Sequence, residues 1–127
     1  MSKKVVIALL MALSFFAEIN AQSYQKNSTG IKATVASENI EIQFYSRSIV
    51  RIVKYPIGQG FNKQSLSVIA TPQKTAFSSK KKGDIINLKS ERLSINLDLT
   101  SGTISYFTKS GTSLLKEKKD GSGFTPF

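Results

Sequence analysis

The feature that most constrains this chain is alternation: from Gly30 onward, apolar and polar residues trade places with a period of two. Ile31, Ala33 and Val35 enclose Lys32 and Thr34, and Ile40, Ile42 and Phe44 enclose Glu41 and Gln43. An amphipathic helix would bring its apolar residues back every 3.6 positions or so, so these segments read as strands with one face on a core and one in water. Ile49 to Val53 is denser, with Arg51 its only polar member. Such a run predicts an inner strand covered on both faces, followed by a loop at Pro56 and Gly58 to Gly60. Leu66 to Ile69, Ile85 to Leu88 and Leu93 to Leu97 continue the strand pattern, with Thr71-Pro72 and Gly83-Asp84 as turn chemistry between them.

The last third reads as a meander. The alternation from Leu93 to Leu99 stops at Ser101-Gly102, resumes at Ile104, Tyr106 and Phe107, stops again at Gly111 and returns at Leu114-Leu115. Turns on glycine imply antiparallel order. Lys116 to Gly123 reads as an exposed loop. Short strands separated by turn signals, with no helical pattern between them, predict an all-β fold. The architecture expected is an antiparallel β-sandwich, with a closed barrel as the alternative.

The first residues follow a different grammar. Lys3 and Lys4 precede an apolar run from Val5 to Ala17 that only Ser14 interrupts, the pattern of a secretory leader. As a helix this run would reach about 20 Å, short of the roughly 30 Å needed to span a bilayer. Ile19 and Ala21 suit cleavage between Ala21 and Gln22, and with no cysteine following, lipid attachment is closed to the chain. A buried N-terminal helix is the alternative, disfavoured by the paired lysines and the polar switch at Asn20. The expected organisation is a signal peptide over 1–21, a linker over 22–29 and a β-sandwich domain over 30–127, exported to the periplasm or beyond.

Composition then narrows the chemistry. The 127 residues include 18 Lys and Arg, 8 Asp and Glu, no His and no Cys. Without His or Cys the chain cannot build a Ser-His-Asp or Cys-His nucleophile, a His- or thiolate-ligated zinc site, or a disulfide. Cleavage would leave a net charge of +9. In an exported protein that charge meets anionic polysaccharide, lipid headgroups or cell-wall polymer rather than nucleic acid. More simply, lysines along outward strand faces keep a sheet soluble and its edges unpaired.

The acidic residues beyond the leader are Glu38, Glu41, Asp84, Glu91, Asp98, Glu117 and Asp120. Glycoside hydrolysis needs two carboxylates facing each other, about 5–5.5 Å apart for retention or about 6.5–9.5 Å for inversion. Glu41 falls on a polar strand face, Asp84 beside a turn glycine, and Glu117 and Asp120 among lysines, so all read as solvated and none is assigned as catalytic. No cofactor or metal set is indicated. Lys80-Lys81-Lys82 reads as a solvated hairpin tip, or as a grip for phosphate or sulfate. The Phe and Tyr side chains are the flat surfaces open to sugar stacking, most of them expected in the core, and Trp is absent. Asn27-Ser28-Thr29 fits the N-glycosylation pattern, a match too frequent by chance to carry weight. Arg51 must be paired if its face is covered, as an inter-domain clamp would be, or it snorkels from an outward face.

Four segments together carry a family resemblance: Ser48-Ile49-Val50-Arg51-Ile52, Leu88-Lys89-Ser90-Glu91-Arg92-Leu93-Ser94-Ile95-Asn96-Leu97, Gly102-Thr103-Ile104-Ser105-Tyr106-Phe107, and Gly111-Thr112-Ser113-Leu114-Leu115-Lys116-Glu117. In order and spacing they resemble the N-terminal domain of glycoside hydrolase family 31, over about residues 30–127. The resemblance implies a galactose-mutarotase-like β-sandwich ahead of a (β/α)8 catalytic barrel, in a retaining α-glucosidase or α-xylosidase. It further implies an Asp nucleophile and an Asp acid/base on the barrel, downstream of Phe127, so that no catalytic residue transfers to this chain. The partner it implies is that barrel, with a carbohydrate substrate. Phe124-Thr125-Pro126-Phe127 would lead toward it, although these aromatics could instead fold back on the sandwich. Two other readings remain: a stand-alone carbohydrate-binding or adhesin-like sandwich, and a basic module bound to the cell envelope.

Overall fold

A computed structural model of the chain describes residues 24–119. The leader expected over 1–21, Asp120 and the closing Phe124 to Phe127 lie outside the described residues. Nine strands follow in order: β1 (Tyr24–Lys26), β2 (Gly30–Val35), β3 (Glu38–Ser46), β4 (Ile49–Pro56), β5 (Ser78–Lys82), β6 (Ile85–Lys89), β7 (Leu93–Asp98), β8 (Ile104–Thr108) and β9 (Ser113–Lys116). No helix occurs among the described residues. Every pairing is antiparallel and joins sequence neighbours, giving one sheet β1-β2-β3-β4 and another β5-β6-β7-β8-β9. The two meanders are open sheets rather than a closed barrel.

The alternation fixes which face of each sheet is dry. Ile31, Ala33, Val35, Ile40, Ile42 and Phe44 from the first sheet join Ile86, Leu88, Ile95, Leu97, Leu99 and Ile104 from the second in one buried cluster. Each of its Val, Ile, Leu and Phe side chains contributes about 1.5–3 kcal/mol when fully buried, so this shared layer is the main force holding the sheets together. Turn residues set the registers. Gly83, at φ +59°, stands in the two-residue connection between Lys82 and Ile85, where a glycine accepts a conformation that a Cβ resists. Ser90 closes the β6–β7 turn by accepting from Leu93 N at 3.1 Å, and its hydroxyl donates to Arg47 O across the layers at 2.7 Å.

Three sequence expectations are corrected. Leu66 to Ile69 is no strand: it lies in the irregular connection 57–77 between the sheets, with Leu66 99% and Ile69 95% exposed. Its apolar residues have no neighbouring strand to complete a ladder, and period alone cannot reveal that. Ile49 to Val53 is not an inner strand but part of β4, at the edge of its sheet, with Ile49 59% exposed. Its density arises because Val50 and Ile52 face the core while Val53 lies outward beside Glu41. Tyr24 to Lys26, placed in the linker by sequence, pairs with β2 as β1, a strand too short to carry a periodic signal.

Candidate functional site

Glu41, Glu91 and Asp98 sit in three different settings. Glu41 lies on the outer face of the first sheet, where Tyr55 Oη donates to its Oε1 at 2.6 Å and Lys32 Nζ approaches the same oxygen at 3.3 Å. Those two partners hold Lys32 above the usual lysine pKa, the Tyr55 hydrogen bond first and Glu41 second. Glu91 pairs with Arg47 at 3.3 Å, with both side chains more than half exposed. Asp98 accepts from Thr100 N at 2.7 Å and Ser101 N at 3.2 Å, closing the turn after β7. Partial desolvation, the largest single influence, pushes its carboxyl upward, but the backbone and side-chain hydrogen bonds of Thr100 and Ser101 together outweigh it and hold the pKa below the ordinary 3.8.

Glu117 departs from expectation. Instead of being solvated among lysines, its Oε2 receives Lys54 Nζ at 2.6 Å and Ile104 N at 2.9 Å. Lys54, only 10% exposed at its side chain, also donates to Gly102 O at 2.9 Å, so it ties β4 of one sheet to the β7–β8 turn and the end of β9 in the other. Among the described residues, no group of three or more acids could hold a metal ion.

The remaining chemistry gathers around the connection 57–77, which both of its ends anchor. At its start, Phe61 stacks on Tyr55 with centroids 6.5 Å apart, and the Arg51 guanidinium lies 5.8 Å from the Phe61 ring. Tyr55 is 7% exposed although it belongs to an outward row, because this connection covers it. At its end, Phe77 packs on buried Phe44 at 5.3 Å, with Lys26 Nζ 4.7 Å from the Phe77 ring. Between these anchors Leu66, Val68 and Ile69 stand exposed, as does Ile57 at the start. The connection is thus pinned at both ends to the first sheet, with its exposed apolar residues between the pins.

Arg51 takes the outward course. Half-buried on β4, it donates to Tyr45 Oη at 3.2 Å and leans on Phe61, with aromatic partners in place of a buried carboxylate. Lys80 to Lys82 are the last three residues of β5, at a sheet edge, and the hairpin tip is Gly83-Asp84. In Asn27-Ser28-Thr29, the Asn27 side chain is engaged by its own turn, accepting from Thr29 N at 3.0 Å and Gly30 N at 2.8 Å. The Lys54–Glu117 bridge left no sequence signal, because its members are 63 positions apart. No helix among the described residues is long and apolar enough to cross a membrane.

No family model matches the sequence, and no curated protein matches it. Among solved structures, the chain is similar to a glycoside hydrolase family 31 α-xylosidase from Xanthomonas citri, with a TM-score of 0.74 and 23% identity. The match takes in 81% of this chain but 12% of that one. The two-sheet all-β fold is therefore one that a family 31 enzyme contains as a small part of a much longer polypeptide.

Proposed function

We propose that this chain is the N-terminal, non-catalytic β-sandwich of an exported retaining α-glycosidase of family 31, of α-glucosidase or α-xylosidase type. The observation that carries the reading is the fold likeness, which takes in most of this chain and a small fraction of an α-xylosidase. On this reading the reaction belongs to a catalytic barrel that follows in the same polypeptide. The sandwich braces that barrel, and the apolar crest at Leu66, Val68 and Ile69 is its contact, beside the substrate entrance. Export rests on the leader pattern of residues 1–21.

Sequencing the gene past Phe127 is the direct test. The expected outcome is an open frame of several hundred codons encoding alternating strands and helices; a stop codon immediately after Phe127 overturns the reading and leaves a stand-alone carbohydrate-binding sandwich. Mass analysis of the exported protein should show a chain beginning at Gln22.

A further inference from the structure

Across the outer face of the five-stranded sheet, the registers align one row of side chains through every strand: Lys80, Asn87, Asn96, Ser105 and Lys116. Their neighbours Ile86, Ile95, Leu97 and Ile104 are fully buried, which puts the row on the opposite, outward face. With strands about 4.8 Å apart, it runs roughly 19 Å from one lysine to the other. A second row, Ser78, Lys89, Ser94 and Phe107, lies beside it.

The centre of this face is already organised. Asn87 Nδ2 donates to Asn96 Oδ1 at 2.6 Å and to Ser94 Oγ at 2.9 Å. Ser94 is only 6% exposed although it belongs to the outward rows. These bonds fix both amides and leave Asn87 Oδ1 as an acceptor and Asn96 Nδ2 as a donor with no partner among the described residues. Lys80, Lys82, Lys89 and Lys116 border the face and are all exposed. The row from Lys80 to Lys116 itself holds no acid: Asp98 lies in the neighbouring row of Lys82 and Ile85, hydrogen-bonded in its own turn, while Glu91 is paired with Arg47 and Glu117 with Lys54.

We infer that this face binds an anionic polysaccharide, a chain of sugars carrying uronate carboxylates, laid along the row from Lys80 to Lys116. Lysines at the margins meet the carboxylates, and the fixed amides and hydroxyls at the centre exchange hydrogen bonds with sugar hydroxyls. A lipid surface fits less well, because no residue of the row is apolar and the exposed large apolar side chains nearby, Leu114 and Leu115, are confined to the β9 edge. Single-stranded nucleic acid would want stacking platforms, and the two rows offer one half-buried ring, Phe107. The inference rests on this face alone and stands whether or not a catalytic barrel follows.

Affinity electrophoresis and calorimetry of the full-length protein with polygalacturonate test it. Binding is expected, weakening as salt rises from about 50 mM to about 500 mM. Lys80→Ala with Lys116→Ala should lower affinity about tenfold. Lys63→Ala with Lys74→Ala, which removes equal charge from the connection 57–77, should lower it less than about twofold. Asn87→Ala should weaken binding without altering its salt dependence. Absence of binding, equal weakening by the two lysine pairs, or an unchanged affinity on Asn87→Ala overturns the inference. Equal affinity for neutral arabinoxylan, for single-stranded DNA or for phosphatidylglycerol vesicles overturns it as well.

Discussion

Single residues carry much of the connection between the layers. Lys54 is nearly buried and meets the Glu117 carboxylate at 2.6 Å. Removing one partner of a desolvated pair strands the other charge, so Glu117→Gln should cost about 2 kcal/mol by urea unfolding, discounted from the fully buried case because Glu117 is partly exposed. A loss below about 0.5 kcal/mol would mean that the bridge is as weak as a surface pair. Glu117 also acts on Tyr106, whose phenol is pushed up to about 12, first by burial and second by this carboxylate. The unfolded chain releases that proton near its ordinary value of 10.0, so the contribution is whole below about pH 10 and lost as pH rises toward 12. Tyr106→Phe should flatten the fall in stability across that window, read from urea midpoints at pH 9 and about pH 11.5. Asp98 works in the opposite direction. Its depressed pKa gives stability that is present above about pH 4 and lost as pH falls through the folded value, so Asp98→Asn should destabilise at neutral pH and converge with the native protein in acid. Asp98 followed by Ser101-Gly102 is visible in sequence as turn chemistry, whereas Glu117 is not legible, because a lysine-rich stretch looks solvated until its partner arrives from the other sheet.

At the scale of elements, close approach decides what is tolerated. Gly30 opens β2, and a Cβ there would collide with the backbone carbonyl of Ile42 on β3. Gly30→Ala should therefore disrupt the β2–β3 ladder at a cost of about 3 kcal/mol, seen as a lowered thermal midpoint and faster amide exchange in β3. Gly102 combines φ +72° with a Cβ position 3.2 Å from Ile40 Cδ1, so that turn packs directly against the facing sheet. The edges differ in their protection. β5 carries three lysines and β4 ends in Pro56, devices that discourage pairing with another chain, while β9 presents Leu114 and Leu115, each more than half exposed. The alternation in β2, β3, β6 and β7 was readable because one face of each is dry. Such clarity fails for β4 and for Leu66 to Ile69, where an edge strand and an unpaired loop resemble central strands in apolar content.

For the whole molecule, two meanders share one core, an arrangement similar in fold to a small part of a much longer α-xylosidase. On the proposed non-catalytic role, the chain alone should not hydrolyse aryl α-glucosides or α-xylosides; turnover abolished by substituting Glu38, Glu41, Asp84, Glu91, Asp98, Glu117 or Asp120 would overturn that assignment. What the sequence by itself determined is the local grammar: which segments extend, which side of each seeks a core, and where glycine lets the chain reverse. Those follow from steric preference and burial, which act over a few residues at a time. Only the tertiary structure decided which strands became edges, that the connection 57–77 covers Tyr55, and that Lys54 finds Glu117. Each of these joins residues far apart along the chain, and their energies exist only once the two sheets have met.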